Sequence, residues 1–288
     1  MADRLTIAYL SFVLVLVIVR HGQVRHALAI GAIHLTLIAS ISLLAMFRGQ
    51  GSRTAAAIGN WYPVLLFGFF FEEIGFIVHA IHPGWFDRLL ISAEYSLFGV
   101  HPTVWIEQYS NYAVTEVLQL AYTSYLFLTL GLAVYFSRRG ERTPFQVLLV
   151  STCVAYYLGY LIFVLFPIES PYHTLRTLQK VELTGGPFTA VINWIERYGR
   201  VHGGAFPSAH VSGSVVVLLC AWRYARRVGY WLTPVVIAIC IATIYGRYHY
   251  VVDVVAGIGM AIIGFVIGTR LVRAGRERRR GIQGAVRP

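Results

Sequence analysis

The sequence predicts an all-α fold, a polytopic membrane helix bundle, and three observations carry that prediction. Hydrophobic residues fill 57% of the 288 positions and charged residues only 13%, about half the charged share of a soluble domain. The apolar residues gather into runs close to the roughly 20 residues that a membrane span needs. Basic residues collect between those runs and in the tail, where they orient a chain across a bilayer. The formal net charge of +11, which in a soluble chain suggests nucleic acid, therefore reads as a topology signal. No nucleic-acid partner is expected.

The apolar runs fall at residues 5–19, 26–47, 60–81, 112–136, 145–166, 208–224, 230–245 and 250–272. The first resembles a signal peptide, but the long basic stretch 20–26 that follows favours a retained helix. Residues 1–59 are read as an N-terminal pair of transmembrane helices, 60–273 as a six-helix bundle, and 274–288 as a basic cytoplasmic tail. Two connections are longer than the rest. The first contains an amphipathic piece at 85–98, expected to lie at the membrane interface. The second, 167–206, is polar and ends in another amphipathic piece at 188–198.

Cys153, Cys220 and Cys240 sit in apolar runs without pairing or metal spacing and read as packing residues. Gly257, Ala261, Gly264 and Gly268 form a strip of small residues, the mark of close helix packing in the last span. Glu72, Glu73 and His79 are costly groups within a span; internal pairing toward the bundle is the favoured reading.

Placing the tail inside puts Arg4, Arg48, Arg53, Arg138, Arg139, Arg142, Arg223, Arg226, Arg227 and the tail arginines on the inner face, most of the 24 basic residues. Both termini are then expected in the cytoplasm. Arg20 and Arg25 dissent. The segments 203–210 (GGAFPSAH) and 247–257 (RYHYVVDVVAG) fall together on the outer face.

Those two segments carry the candidate chemistry. His249 and Asp253 are four apart, so a helix puts them on one face. There the carboxylate accepts one ring N–H and leaves the other nitrogen free. His210 follows Pro207 and Ser208 where a helix should start, close to free backbone N–H groups. The pattern suggests a phosphate held between two imidazoles. Taken alone, His249 and Asp253 would read as a structural pair; joined to the upstream histidine they do not.

GGAFPSAH resembles the second motif of the phosphatidic acid phosphatase type 2 superfamily, and HYVVDVVAG the third. Their forms, Phe-Pro-Ser-x-His and His-Tyr-x-x-Asp, are closer to the branch containing inositol phosphorylceramide synthases, as are 87–102 (DRLLISAEYSLFGVHP) and 166–172 (FPIESPY). The resemblance covers roughly residues 60–273 and implies a phosphatase-like core with no metal or cofactor. It implies His249 as the nucleophile on phosphorus, Asp253 as its orienting acid, and His210 as the acid and base for leaving group and acceptor. Ser208, Gly203 and Gly204 are the implied oxyanion donors.

Two departures stand out. The first motif, Lys-x6-Arg-Pro, corresponds to 163–171 with Ser170 before the proline, and Thr243 stands where an arginine precedes the third-motif histidine by six. Arg247, Arg176, Lys180 and Arg200 are the available replacement cations, and Tyr172 lies beside them. A lipid phosphate or phospholipid is the implied substrate at the outer face of the cell membrane. Passage of the phosphoryl group to a lipid or polyol hydroxyl makes a phosphotransferase; passage to water makes a lipid phosphatase. The alternative is a transporter using Glu72, Glu73 and the histidines as a proton relay, which predicts internal repeats that the sequence lacks.

Overall fold

The computed structural model describes residues 1–199 and 201–285, and side chains for all of these but 198, 199 and 279–285. Each apolar run is a helix. α1 (Ala2–Val19), α2 (Ala27–Gly49) and α3 (Arg53–Ile77) come first. The first long connection holds α4 (Asp87–Phe98), α5 (Pro102–Trp105) and a 3-10 turn at Ile106–Tyr109. α6 (Tyr112–Arg138) and α7 (Arg142–Leu165) are joined through Gly140, whose φ of 69° lies in the left-handed region that favours glycine. The second connection holds α8 (Pro171–Thr174) and α9 (Pro187–Gly199). α10 (Ala209–Tyr224), α11 (Arg226–Tyr245) and α12 (Val251–Ala285) finish the chain. Among the described residues there are seven helices long and apolar enough to cross a membrane; α10, with 16 residues, is shorter.

Two helices run past their apolar stretches. α3 starts at Arg53 because Ser52 caps it, its hydroxyl accepting from the Ala55 N–H at 3.2 Å. The division at residue 59 therefore falls inside this helix. α12 continues through 274–285, where Arg273 and Glu277 pair one turn apart at 2.9 Å. Apolarity marks a span, whereas capping and propensity mark a helix.

α7 is the central column: 78% of its apolar stretch is buried, against 33% for α6 and α11. α12 packs on it through the small-residue strip. A Cβ on Gly264 would meet the Ser151 carbonyl oxygen at 2.7 Å, and one on Gly268 would meet the Ser151 backbone at the same distance. Such close approach is what small residues permit between helices in lipid.

Two apolar cores flank this column. One joins α1, α2 and α3 to α7 through Tyr9, Leu10, Phe70, Ile74 and Tyr157. The other joins α6, α7, α10 and α12 through Phe136, Leu148, Val216, Val217 and Ala261. Large apolar side chains such as Leu65, Trp231 and Val255 face outward, as a bundle solvated by lipid requires.

Polar ties lock the N-terminal helices. Asp3 accepts from the Arg48 guanidinium and, at 3.0 Å, from the Tyr62 hydroxyl. His34 of α2 contacts Glu73 of α3 at 2.5 Å. Of the three costly groups in the third run, Glu73 is thus paired internally. Glu72 faces a cavity, and His79 bonds the His82 carbonyl at 2.9 Å.

Candidate active site

The segment 203–210 is shaped before it is functional. Gly203 has a φ of 89°, and a Cβ there would meet Val78 Cγ2 at 2.2 Å, so only glycine fits. The backbone of Ala205 donates to the Ile168 carbonyl at 3.3 Å, tying this loop to the 166–172 segment. Ser208 then caps α10, its hydroxyl accepting from the Val211 N–H at 3.3 Å. His210 follows on the first turn.

The other half is a turn between α11 and α12. The Thr243 carbonyl accepts from both the Tyr248 N–H (3.0 Å) and the His249 N–H (3.1 Å). Asp253 Oδ2 accepts from the Tyr250 N–H at 2.8 Å. His249 therefore lies just before α12 rather than on it, and its Nδ1 is 3.4 Å from Asp253 Oδ2. The direct hydrogen bond of Nδ1 is to the Ala205 carbonyl, at 2.9 Å.

That carbonyl fixes the tautomer, because it can only accept. Nδ1 of His249 carries the proton, and Nε2 keeps its lone pair. Nε2 lies 3.0 Å from His210 Nδ1, and His210 Nε2 lies 3.0 Å from the Tyr122 hydroxyl. With both rings neutral, one consistent chain results: Tyr122 O–H donates to His210, His210 Nδ1–H to His249, and His249 Nδ1–H to Ala205. Burial holds His249 down to about 4, so at neutral pH its ring is uncharged and its Nε2 lone pair is free of a proton.

The two rings sit at a cavity of about 270 Å³. Phe71 and Glu72 of α3, Tyr125 of α6, Glu196 of α9, and Glu169, His173 and His202 of the second connection share its wall. Tyr125 packs edge-on against His210 with ring centroids 4.4 Å apart, and Tyr122 stacks on Tyr248 at 4.3 Å. His202 pairs with Glu169 at 2.7 Å.

Of the sequence-derived candidates, His210, His249, Gly203 and Gly204 line this cavity, and Asp253 stands directly behind His249. Ser208 is fully buried, its hydroxyl engaged as a cap. Arg247 is buried elsewhere: its guanidinium bonds Glu107 at 2.6 Å and the Val181 carbonyl, while its own carbonyl accepts from the Tyr172 N–H at 3.0 Å. Its position ties the turn between α11 and α12 to the two connections and keeps its charge from the cavity. Tyr172, Arg176 and Lys180 are exposed and outside the cavity lining. Arg200 lies outside the described residues.

Sequence reasoning missed the supports. Helix α4 turns a polar face inward: Glu94, fully buried, accepts from the N–H groups of Val251 and, at 3.2 Å, Val252, holding the start of α12. Asp87 accepts from the Glu169 N–H at 3.0 Å and the Tyr250 hydroxyl at 3.3 Å. Burial pushes Asp87 up and Glu94 up to about 7. Asp87, Leu90 and Glu94 share the buried face of α4; helical spacing could have grouped them, but two carboxylates on that face read as solvent-facing.

The fold and site define a class: a multi-pass membrane protein with a histidine pair at one end of its bundle. The chain belongs to the PAP2 superfamily, a phosphatase-related family, whose model matches residues 88–267. It is 27% identical over 175 residues to a PA-phosphatase related-family protein of Dictyostelium discoideum, an alignment covering 54% of this chain and 32% of that relative. The chain thus spans about a third of the relative's length. No solved structure matches. The family match starts at α4, so the α3 wall of the cavity lies outside it.

Proposed function

We propose that the protein cleaves a phosphoester or pyrophosphate bond of a membrane lipid through a phosphohistidine on His249. The observation that carries this reading is the 3.0 Å contact between His249 Nε2 and His210 Nδ1 at the cavity. A phosphoryl group entering there displaces that hydrogen bond and meets a lone pair on one side and a proton carrier on the other.

In the first step the Nε2 lone pair forms a bond to phosphorus, and the bond from phosphorus to the leaving oxygen breaks. His210, which takes up a second proton as the phosphate anion enters beside it, gives that proton to the leaving oxygen and returns to the neutral form. In the second step a hydroxyl oxygen attacks phosphorus, His210 takes its proton, and the P–N bond electrons return to Nε2. The Ala205 carbonyl keeps Nδ1–H in place throughout, and the Asp253 carboxylate stabilises the positive charge on the phosphorylated ring. The backbone at Gly203 and Gly204 and the first turn of α10 supply N–H donors for the phosphoryl oxygens.

Water as acceptor makes a lipid phosphate phosphatase; a lipid or polyol hydroxyl makes a phosphotransferase of the inositol phosphorylceramide synthase type. The arginine distribution supports cytoplasmic termini and a site on the outer face of the cell membrane. The test is a panel of radiolabelled lipid phosphates and phospholipids, offered to purified protein with and without inositol or diacylglycerol. Turnover of at least one substrate by the wild type, and by none in His249→Ala, is expected. Equal turnover by the variant contradicts the reading, and the product separates hydrolysis from transfer.

A further inference from the structure

At the other end of the bundle lies a second cavity, of about 320 Å³, between the start of α7, the end of α10 and the second half of α12. Its wall holds three guanidinium groups, Arg223, Arg273 and Arg276, against one carboxylate, Glu277. His210 begins α10 and Tyr224 ends it, so this cavity is roughly 20 Å from the histidine pair along that helix. It is a separate site.

Three features make it a receptor for an anion. Each arginine is anchored at one point and keeps other donors. Arg223 gives Nε to the Tyr224 hydroxyl at 3.2 Å, Arg273 gives Nε to Glu277 at 2.9 Å, and Arg276 gives one Nη to Thr143. The positive end of the α7 dipole adds to that field, because Thr143 belongs to its first turn. A hydroxyl is also at hand: Thr269 is among the lining residues, and its Oγ1 is shielded and has no hydrogen-bond partner among the described residues. A shielded hydroxyl without a partner is costly unless a ligand satisfies it. Val147 and Val272 complete the wall, an apolar flank fit for the start of an acyl chain.

We propose that this cavity binds the phosphate of an anionic lipid headgroup at the membrane face opposite the histidine pair. Planar guanidinium forks match phosphate oxygens, and basic pockets between membrane helices are a recurring headgroup site. The site has no part in the reaction; its occupant fastens α7, α10 and α12 together at that end.

Native mass spectrometry of the full chain, titrated with phosphatidylglycerol or phosphatidylcholine, tests this. Phosphatidylglycerol is expected to bind the wild type at least about tenfold more tightly than the Arg223→Gln/Arg276→Gln variant, with phosphatidylcholine indifferent to the change. Thr269→Val, which keeps every charge, is expected to weaken phosphatidylglycerol binding by less and serves if the double variant fails to fold. Inorganic phosphate provides the second arm. If it leaves lipid binding intact, the source is the headgroup; if it competes at millimolar concentration, the site takes free phosphate and the lipid assignment falls. Equal binding of phosphatidylglycerol by wild type and both variants overturns the proposal entirely.

Discussion

Two histidine–carboxylate pairs are buried in this bundle, and their surroundings differ in the way that matters for chemistry. His34, in the N-terminal part, contacts Glu73 at 2.5 Å through Nε2 and the Leu10 carbonyl at 3.0 Å through Nδ1. Both of its nitrogens are engaged within the packed core, and neither reaches the cavity. His249 gives only Nδ1 to the fixed framework, through Ala205, and turns Nε2 to a second imidazole at the cavity. Burial and a carboxylate are common to both; a lone pair at the cavity belongs to one. A buried histidine with an acid beside it is therefore no sign of catalysis until its second nitrogen has been followed.

The largest expected effect breaks the symmetry between the pairs outright. His249→Ala should abolish turnover, while His34→Ala should leave kcat within a few fold and lower thermal stability. That loss should be roughly 1–3 kcal/mol, because Glu73 loses its buried partner. Thermal unfolding and initial rates on the same preparations separate the two outcomes, and inactive but stable His34→Ala would erase the distinction.

Asp253→Asn comes next. In a triad whose acid alone orients the imidazole, the amide costs about 10⁴-fold. Here Ala205 sets the tautomer and Asp253 stands 3.4 Å from Nδ1 behind it, so a smaller loss of roughly 10²-fold in kcat is expected. A loss below tenfold makes Asp253 a packing group.

Glu94 offers a subtler test of how the turn is held. Glu94→Ala leaves the N–H groups of Val251 and Val252 without their acceptor and should destabilise the fold by roughly 1–3 kcal/mol per donor. Glu94→Gln retains an acceptor and should be tolerated. Because the folded-state value of Glu94 is raised to about 7, its stabilising contribution is fully present below the ordinary carboxylate range and is lost as pH rises through about 7. The stability of Glu94→Gln relative to wild type should therefore increase from pH 6 to pH 8. A flat difference over that range would show that the carboxyl does not titrate there.

Much of this was legible in the sequence. Runs of apolar residues set the number and order of long helices, since bilayer thickness leaves few lengths open. Pro207, Ser208 and the first turn of α10 placed His210, because local capping chemistry is written in local residues. What was not legible depends on partners far along the chain. The Tyr122 hydroxyl reaches His210 from α6, and the Ala205 carbonyl, rather than Asp253, takes the His249 proton. Arg247 looked like a phosphate ligand from its place beside His249. Its φ of 65° and its bond to Glu107 turn it elsewhere, and neither follows from spacing.

The central claim is that His249 Nε2 forms a bond to phosphorus. Rapid acid-free quenching of His210→Ala after mixing with a ³²P-labelled aryl phosphate, whose phenolate leaves without a proton, followed by peptide mapping, tests it most directly. An acid-labile, alkali-stable label on the peptide containing His249, absent from His210→Ala/His249→Ala, is the predicted result. A label on any other residue, or lipid turnover that persists without His249, would contradict it.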